Sequence, residues 1–188
     1  MSMKVTETGF PGLRIIEPKV FEDHRGYFFE SYNHKKMQEE GFDTVFIQDN
    51  QSKSQYGVIR GLHYQKNPHA QTKLIRVLQG EILDVVVDLR KNSPFYGKWF
   101  GLELSEFNKL QLFVPKGFAH GFSVLSENAV VSYKCDELFN PASEAGVFYN
   151  DNFLKIDWKI PVGKEIISPK DKCLPDFKTS DNNFIFDN

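Results

Sequence analysis

Two histidines carry the strongest chemical signal in this sequence of 188 residues. His63 lies in Val58-Ile59-Arg60-Gly61-Leu62-His63-Tyr64-Gln65, after a turn signal at Gly57. His120 lies in Val114-Pro115-Lys116-Gly117-Phe118-Ala119-His120-Gly121-Phe122. Both stand near glycine in stretches that read as strand, whereas His34 and His69 sit in polar stretches and read as solvated. A transition metal would need three or four converging ligands. His63 is followed by Tyr64-Gln65, with no second histidine and no glutamate at ligand spacing. The expectation is therefore no metal. Imidazole titrates close to neutral pH, so acid–base work is the chemistry that suits His63 best.

Cations flank His63 in the chain. Arg60 is three residues before it and Lys73 ten after. Side chains alternate along a strand, so Lys73, Ile75 and Val77 share one face and Arg76 takes the other. Ordinary surface charge is the alternative reading for both cations. A lysine facing an apolar interior is costly unless it meets an anion. An acid could orient His63 through Nδ1 and fix its tautomer, and Asp171 in Ser168-Pro169-Lys170-Asp171 is one candidate among many.

The elements that must position these groups are mostly strands. Lys73–Leu78 is followed by a turn at Gln79-Gly80, then Glu81–Leu89, ended by Asn92-Ser93-Pro94. Lys98–Leu104 and Leu110–Val114 alternate, and Gly121–Leu125 with Ala129–Asp136 form a hairpin around Ser126-Glu127-Asn128. One short helix spans His34–Glu40, with Asn33 as cap, Gly41 as stop and i,i+4 Lys–Glu pairs. Strands at this spacing with little helix predict an all-β sandwich or jelly-roll barrel. The tail from Pro161 wraps the surface as an extension. Asp176–Asn188 reads as weakly ordered, with Phe177, Phe184 and Phe186 as docking points.

Composition narrows the class. Hydrophobic residues make up 40% and charged residues 26%, the balance of a globular protein, and the length suits one domain over 1–188. The 18 Phe and 7 Tyr favour strands and filled barrel interiors. A net charge of −2 argues against broad binding of nucleic acid or an acidic membrane. The apolar runs are too short for a membrane span, and Met1–Glu7 carries no apolar signal segment. Cys135 and Cys173 form no ligand spacing and read as small buried fillers in a cytoplasmic protein.

Taken together, the motifs resemble a known family. Pro115-x-Gly117-x-x-His120, opening a strand, is similar to the second motif of cupin barrels. Asp23–Tyr32, Gln48–Ser52, Arg60–Gln65, Val114–Phe122, Tyr133-Lys134-Cys135 and Ser168–Asp171 resemble, in order and at family spacing, the dTDP-4-dehydrorhamnose 3,5-epimerases. The resemblance covers residues 10 to 175. It implies a cupin-type jelly roll, no cofactor and a homodimer that exchanges N-terminal strands. The implied substrate is a dTDP-4-keto-6-deoxy sugar on the way to dTDP-rhamnose and cell-surface polysaccharide. In the implied site His63 is the base, Asp171 holds it, Tyr133 is the acid on the opposite face and Lys73 stabilises the enolate. Arg25 and Arg60 would hold the diphosphate, and Glu30, Gln48, Asn50, His120, Glu144 and Lys170 would add contacts.

These roles are chemically coherent. Carbon next to a ketone is a weak acid, so the developing oxyanion needs a fixed cation. Inversion needs a donor on the far face, which a neutral tyrosine can supply. Read by itself, Tyr133 could equally be a cross-strand core aromatic. Two departures from the family pattern stand out. Leu138-Phe139 replaces a usual Tyr-Tyr pair, and His24 stands where Glu is frequent. The first bears on nucleobase contacts and on how complete the double epimerisation is. Other readings of the chain are a 3-only or 5-only epimerase, one using another nucleotide, a non-catalytic sugar-nucleotide binder, or a metal cupin.

Overall fold

The alternation read in the sequence becomes two antiparallel sheets packed face to face. The computed structural model describes residues 3–186. The first part of the chain forms β1 (Lys4–Glu7), β2 (Arg14–Glu17), β3 (Phe21–Asp23), β4 (Gly26–Phe28) and helix α1 (His34–Glu39). Then come β5 (Gln48–Gln55), β6 (Ile59–Gln65), β7 (Lys73–Gln79), β8 (Glu81–Asp88) and β9 (Trp99–Ser105). The last strands are β10 (Gln111–Val114), β11 (Phe118–Val124), β12 (Asn128–Cys135) and β13 (Glu144–Gly146), followed by the short helix α2 (Pro169–Lys172). A six-stranded sheet runs β1-β2-β10-β7-β12-β5 and a five-stranded sheet β13-β6-β11-β8-β9. This is the predicted jelly roll, with the hairpin β3–β4 standing apart.

The core lies between the sheets because each strand turns one apolar face inward. Ile75 and Val77 on β7, Leu112 and Val114 on β10 and Val131 on β12 meet Ile82 and Val86 on β8, Leu104 on β9, and Phe118 and Phe122 on β11. Strand β8 is buried on both faces. Leu83, Val85 and Val87 point outward, under a second cluster with Leu154, Trp158, Phe177 and Phe184. Asp84 takes the inward face between Ile82 and Val86 and is fully buried. The third cluster sets Met37 of α1 and Phe42 on the outer side of the six-stranded sheet.

Some expectations hold here and others change. In the described part of the tail Phe177 and Phe184 dock as expected, each 4% exposed, and burying one such ring contributes about 1.5–3 kcal/mol. Asp187 and Asn188 lie outside the described residues. Cys135 is a buried filler, but Cys173 is exposed, because it ends α2 at the surface. Asn33 caps α1 by accepting from the Lys36 amide at 3.2 Å. Lys36, however, pairs with Glu30 at 2.6 Å rather than with Glu40 one helical turn on.

One irregularity matters for the site. On β11, His120 pairs with His63 and Phe122 with Arg60, so β6 spends one residue more than its partner over this span. The extra residue is a bulge at Gly61. Its φ of +123° and the approach of Gly121 Cα to 2.6 Å from a would-be Cβ require glycine there.

Candidate active site

The bulge brings Arg60 and His63 to one wall. In a regular strand, residues three apart point to opposite faces. One added residue reverses that parity, and both side chains line the same cavity. The cavity opens at one end of the sandwich and has a volume of about 750 Å³, the size range of small-molecule sites. Gln48, Asn50 and Ser52 line it from alternate positions of β5, Lys73 from β7, His120 and Phe122 from β11, and Tyr133 from β12. Phe139, Glu144, Lys170 and Asp171 complete the mouth.

His63 and Asp171 form the central pair. His63 Nε2 lies 2.7 Å from Asp171 Oδ1. The Asp171 side chain is only 5% exposed, while His63 stays open to the cavity at 34%. Burial by itself would raise the Asp171 carboxyl. The bond from His63, the His63 charge, the Gly61 N–H and Ser168 outweigh it and hold the group below the usual aspartate value. Asp171 is thus a carboxylate at neutral pH, and His63 Nε2–H is the donor to it. The expectation that Asp171 would bind Nδ1 is corrected: the bond is to Nε2, which leaves Nδ1 as the basic atom. Asp171 sits in position because Ser168 caps α2, accepting from the Asp171 amide at 3.0 Å.

The opposite wall carries Lys73 and Tyr133. Lys73 shares the face of Ile75 and Val77, as its spacing predicts. Burial pushes its ammonium below the ordinary lysine value, against opposing influences from Cys135 and Asp84. No carboxylate oxygen comes within 4.0 Å of it among the described residues, so the cation is free for a ligand. Tyr133 is half-buried, and desolvation raises its phenol, with a smaller push from Cys135 and an opposing pull from Arg60. It is therefore a neutral O–H at neutral pH. Arg60 donates from Nε to Ser54 Oγ at 3.0 Å, and its remaining N–H groups have no partner among the described residues.

The rim is organised by amides. Gln65 is buried and was not singled out in the sequence. It accepts from the Asn140 amide at 2.7 Å and donates to the carbonyls of His69 at 2.6 Å and Leu138 at 3.2 Å. Gln48 accepts from the Phe139 amide at 3.0 Å and donates to Asn50 at 3.1 Å. These bonds hold Phe139 at the cavity rim, and of the exposed pair Leu138-Phe139 only Phe139 lines the cavity. Glu144 and Lys170 pair with each other at 2.6 Å across the mouth.

Two expected residues are elsewhere. Arg25 lies on the β3–β4 hairpin, with its side chain 78% exposed and paired with Asp23 at 2.6 Å. Glu30 is bound to Lys36. Neither lines this cavity, because each is held by a local partner away from it. One buried pair was missed: His120 Nε2 lies 2.7 Å from Asp84 Oδ1. A charged residue inside the apolar run Ile82–Val87 was its signal. Among the described residues, no group of three or more His, Cys, Asp or Glu side chains is placed to hold a metal ion.

A jelly-roll cavity with a carboxylate-held imidazole facing a neutral phenol and a free ammonium defines the class: an acid–base isomerase of the cupin type. Comparisons with known proteins agree. The family model of the dTDP-4-dehydrorhamnose 3,5-epimerases matches residues 7–179. The dTDP-4-dehydrorhamnose 3,5-epimerase of Shigella flexneri is 49% identical over 170 residues, which is 90% of this chain and 93% of that protein. The crystal structure of the enzyme of the same name from Elizabethkingia anophelis NUHP1 superposes with a TM-score of 0.90 at 56% identity, covering 95% of this chain and 98% of the other. A Legionella pneumophila 3,5-epimerase solved with dTDP-4-keto-L-rhamnose gives 0.89 at 47% identity, covering 94% of each chain. The chain belongs to the dTDP-4-dehydrorhamnose 3,5-epimerase family.

Proposed function

We propose that this chain inverts C3 and C5 of a dTDP-4-keto-6-deoxyglucose-type sugar nucleotide, giving dTDP-4-dehydro-L-rhamnose. The observation that carries the reading is the His63–Asp171 pair facing Tyr133 and Lys73 across one cavity. His63 Nδ1 takes the proton from carbon next to the C4 ketone, and the C–H electron pair moves into an enolate. Lys73 faces the oxygen on which that charge grows. A donor fixed at such an oxygen is worth about 10²–10³ in rate. The Tyr133 O–H then protonates the same carbon from the opposite face, and the ketone re-forms. His63 returns its proton to solvent and Tyr133 recovers one, so no electrons are gained or lost overall. The same cycle serves the second carbon.

Arg60 suits the diphosphate, because its guanidinium fork is open and always charged. Gln48, Asn50, His120, Glu144 and Lys170 act as further contacts to the ligand. In this reading one epimerase domain spans 1–188 and works as a homodimer with exchanged N-terminal strands. The exposed aromatics of the separate β3–β4 hairpin support it: Tyr27 is 57% and Phe28 66% exposed. Strand exchange would carry Arg25 and Glu30 to the cavity of a second copy. The two unpaired cysteines suit the reducing cytoplasm.

The test is incubation with the 4-keto-6-deoxy sugar nucleotide in deuterated water, followed by NMR. Deuterium at both C3 and C5 is expected. Label at one carbon alone would make the chain a single-site epimerase, and no label would make it a binder.

A further inference from the structure

Asp84 is a buried acid beside the cavity, bonded to the cavity residue His120, that the reaction above does not use. It sits mid-strand on β8, wholly buried, with the inward-facing Ile82 and Val86 as its strand neighbours. Its Oδ1 meets His120 Nε2 at 2.7 Å, and its Oδ2 is buried with no hydrogen-bond partner among the described residues. An unpartnered carboxylate oxygen in such a place is costly unless a nearby positive charge offsets it. The cation available is Lys73, on the facing sheet and more than 4.0 Å away. A direct ion pair would neutralise Lys73 and hold it away from a ligand. A carboxylate one step further off favours the ammonium yet leaves its donors free.

The geometry of His120 points the same way. His120 and His63 are register partners on adjacent strands, and both turn Nε2 toward a buried aspartate. Among the described residues His120 Nδ1 makes no hydrogen bond, and His120 lines the cavity.

We propose that Asp84 is a positioning residue for the oxyanion side of the site. It fixes the His120 ring through Nε2 and, through space, sets the charge at Lys73. The proposal rests on the epimerase reading for its kinetic arm only. The groups facing this centre are Lys73 on β7, His120 on β11, His63 and Arg60 on β6, and Cys135 and Tyr133 on β12. Desolvation is what depresses Lys73, and Cys135 and then Asp84 oppose it. Losing Asp84 therefore lowers the pH at which Lys73 gives up its proton.

Two measurements test this. In wild-type protein labelled with 15N-histidine, His120 should be found with its proton on Nε2. A proton on Nδ1 alone would overturn the proposal whether or not the enzyme turns over. In steady-state kinetics, Asp84→Asn should lower kcat at least tenfold with KM within twofold, and should move the alkaline limb of kcat to lower pH. His120→Gln, which keeps the Asp84 charge, should leave that limb in place. Asp84→Ser repeats the experiment with a smaller side chain should the amide disturb folding. A limb that coincides with wild type in the folded Asp84 variants refutes the charge role. If wild type itself shows no exchange, the epimerase reading fails, and the tautomer result still decides the His120 arm.

Discussion

Replacing Asp171 with asparagine tests the core of the site most directly. The substitution keeps the size of the side chain and removes its charge. Asp171 now accepts from His63 Nε2 at 2.7 Å and from the Gly61 amide at 3.4 Å. An amide can satisfy both places only with its oxygen toward Gly61 and its NH2 toward His63. That arrangement demands an acceptor at Nε2, so the ring proton moves to Nδ1. The atom facing the substrate then cannot take a proton. A wrong tautomer behind an intact geometry costs about 10³–10⁴ in kcat, or ~4–5 kcal/mol of barrier. Asp171→Ala removes the partner without imposing a tautomer, so it should retain more activity than the asparagine variant. Stability moves in a related way. The depressed carboxyl contributes stability above the usual aspartate value, and that contribution is lost as pH falls through its folded value. Both variants should therefore lose less stability on acidification than wild type does. The assay is deuterium wash-in and product formation by NMR, beside thermal melts at neutral and acid pH. An asparagine variant with more than a tenth of wild-type kcat, or one more active than the alanine variant, would refute the tautomer argument.

Other residues give separate tests. Lys73→Met should lower kcat about 10²–10³-fold with little change in KM, because the oxyanion exists only after deprotonation. Wild-type kcat should fall on the alkaline side below the ordinary lysine value, since burial depresses Lys73, while the raised phenol of Tyr133 stays protonated there. That fall should vanish in the methionine variant. Tyr133→Phe should still exchange substrate protons with solvent through His63 while product formation drops by about two orders of magnitude, in the range of general-acid catalysis. Gly61→Ala should cost more than 2 kcal/mol by denaturant titration, because its Cβ would lie 2.6 Å from Gly121 Cα and 2.8 Å from the His120 carbonyl.

What could be read in the sequence follows from where each signal lives. Strands β7 and β8 were legible because their apolar alternation meets the core, and Lys73 was placed correctly by its parity with Ile75 and Val77. Strand β5 was not, because Gln48–Gln55 is polar throughout. Its inward residues Gln48, Asn50 and Ser52 face a wet cavity rather than a core, so hydrophobic periodicity has nothing to report. The partner of His63 could be nominated but not its nitrogen, since Nε2 or Nδ1 is decided by how α2 approaches β6 in space. The β3–β4 hairpin defeated the assignment of Arg25 and Glu30 for another reason. Arg25 pairs with Asp23 on that hairpin and Glu30 with Lys36, outside the residues that line this cavity, and a motif's order along the chain does not record that placement.

The bulge at Gly61 explains why strand alternation alone could not place Arg60. Strict alternation sends Arg60 and His63 to opposite faces, and on that rule one of them must be ordinary surface. The chain breaks the rule at the single residue between Arg60 and Leu62 that can hold a φ of +123°. The same break lets Gly121 pack against β6 and sets His120 directly across from His63. One extra residue thus moves Arg60 to the cavity wall and aligns two imidazoles on adjacent strands. Each imidazole is backed by a buried aspartate from a different part of the fold, Asp171 from the tail and Asp84 from the core. The two aspartates do different work because their surroundings differ. The second oxygen of Asp171 accepts from the Gly61 amide, and its backbone is pinned by the Ser168 cap, so its first oxygen is given wholly to one ring. Asp84 keeps one oxygen without a partner, and its charge reaches past His120 to the lysine on the facing sheet.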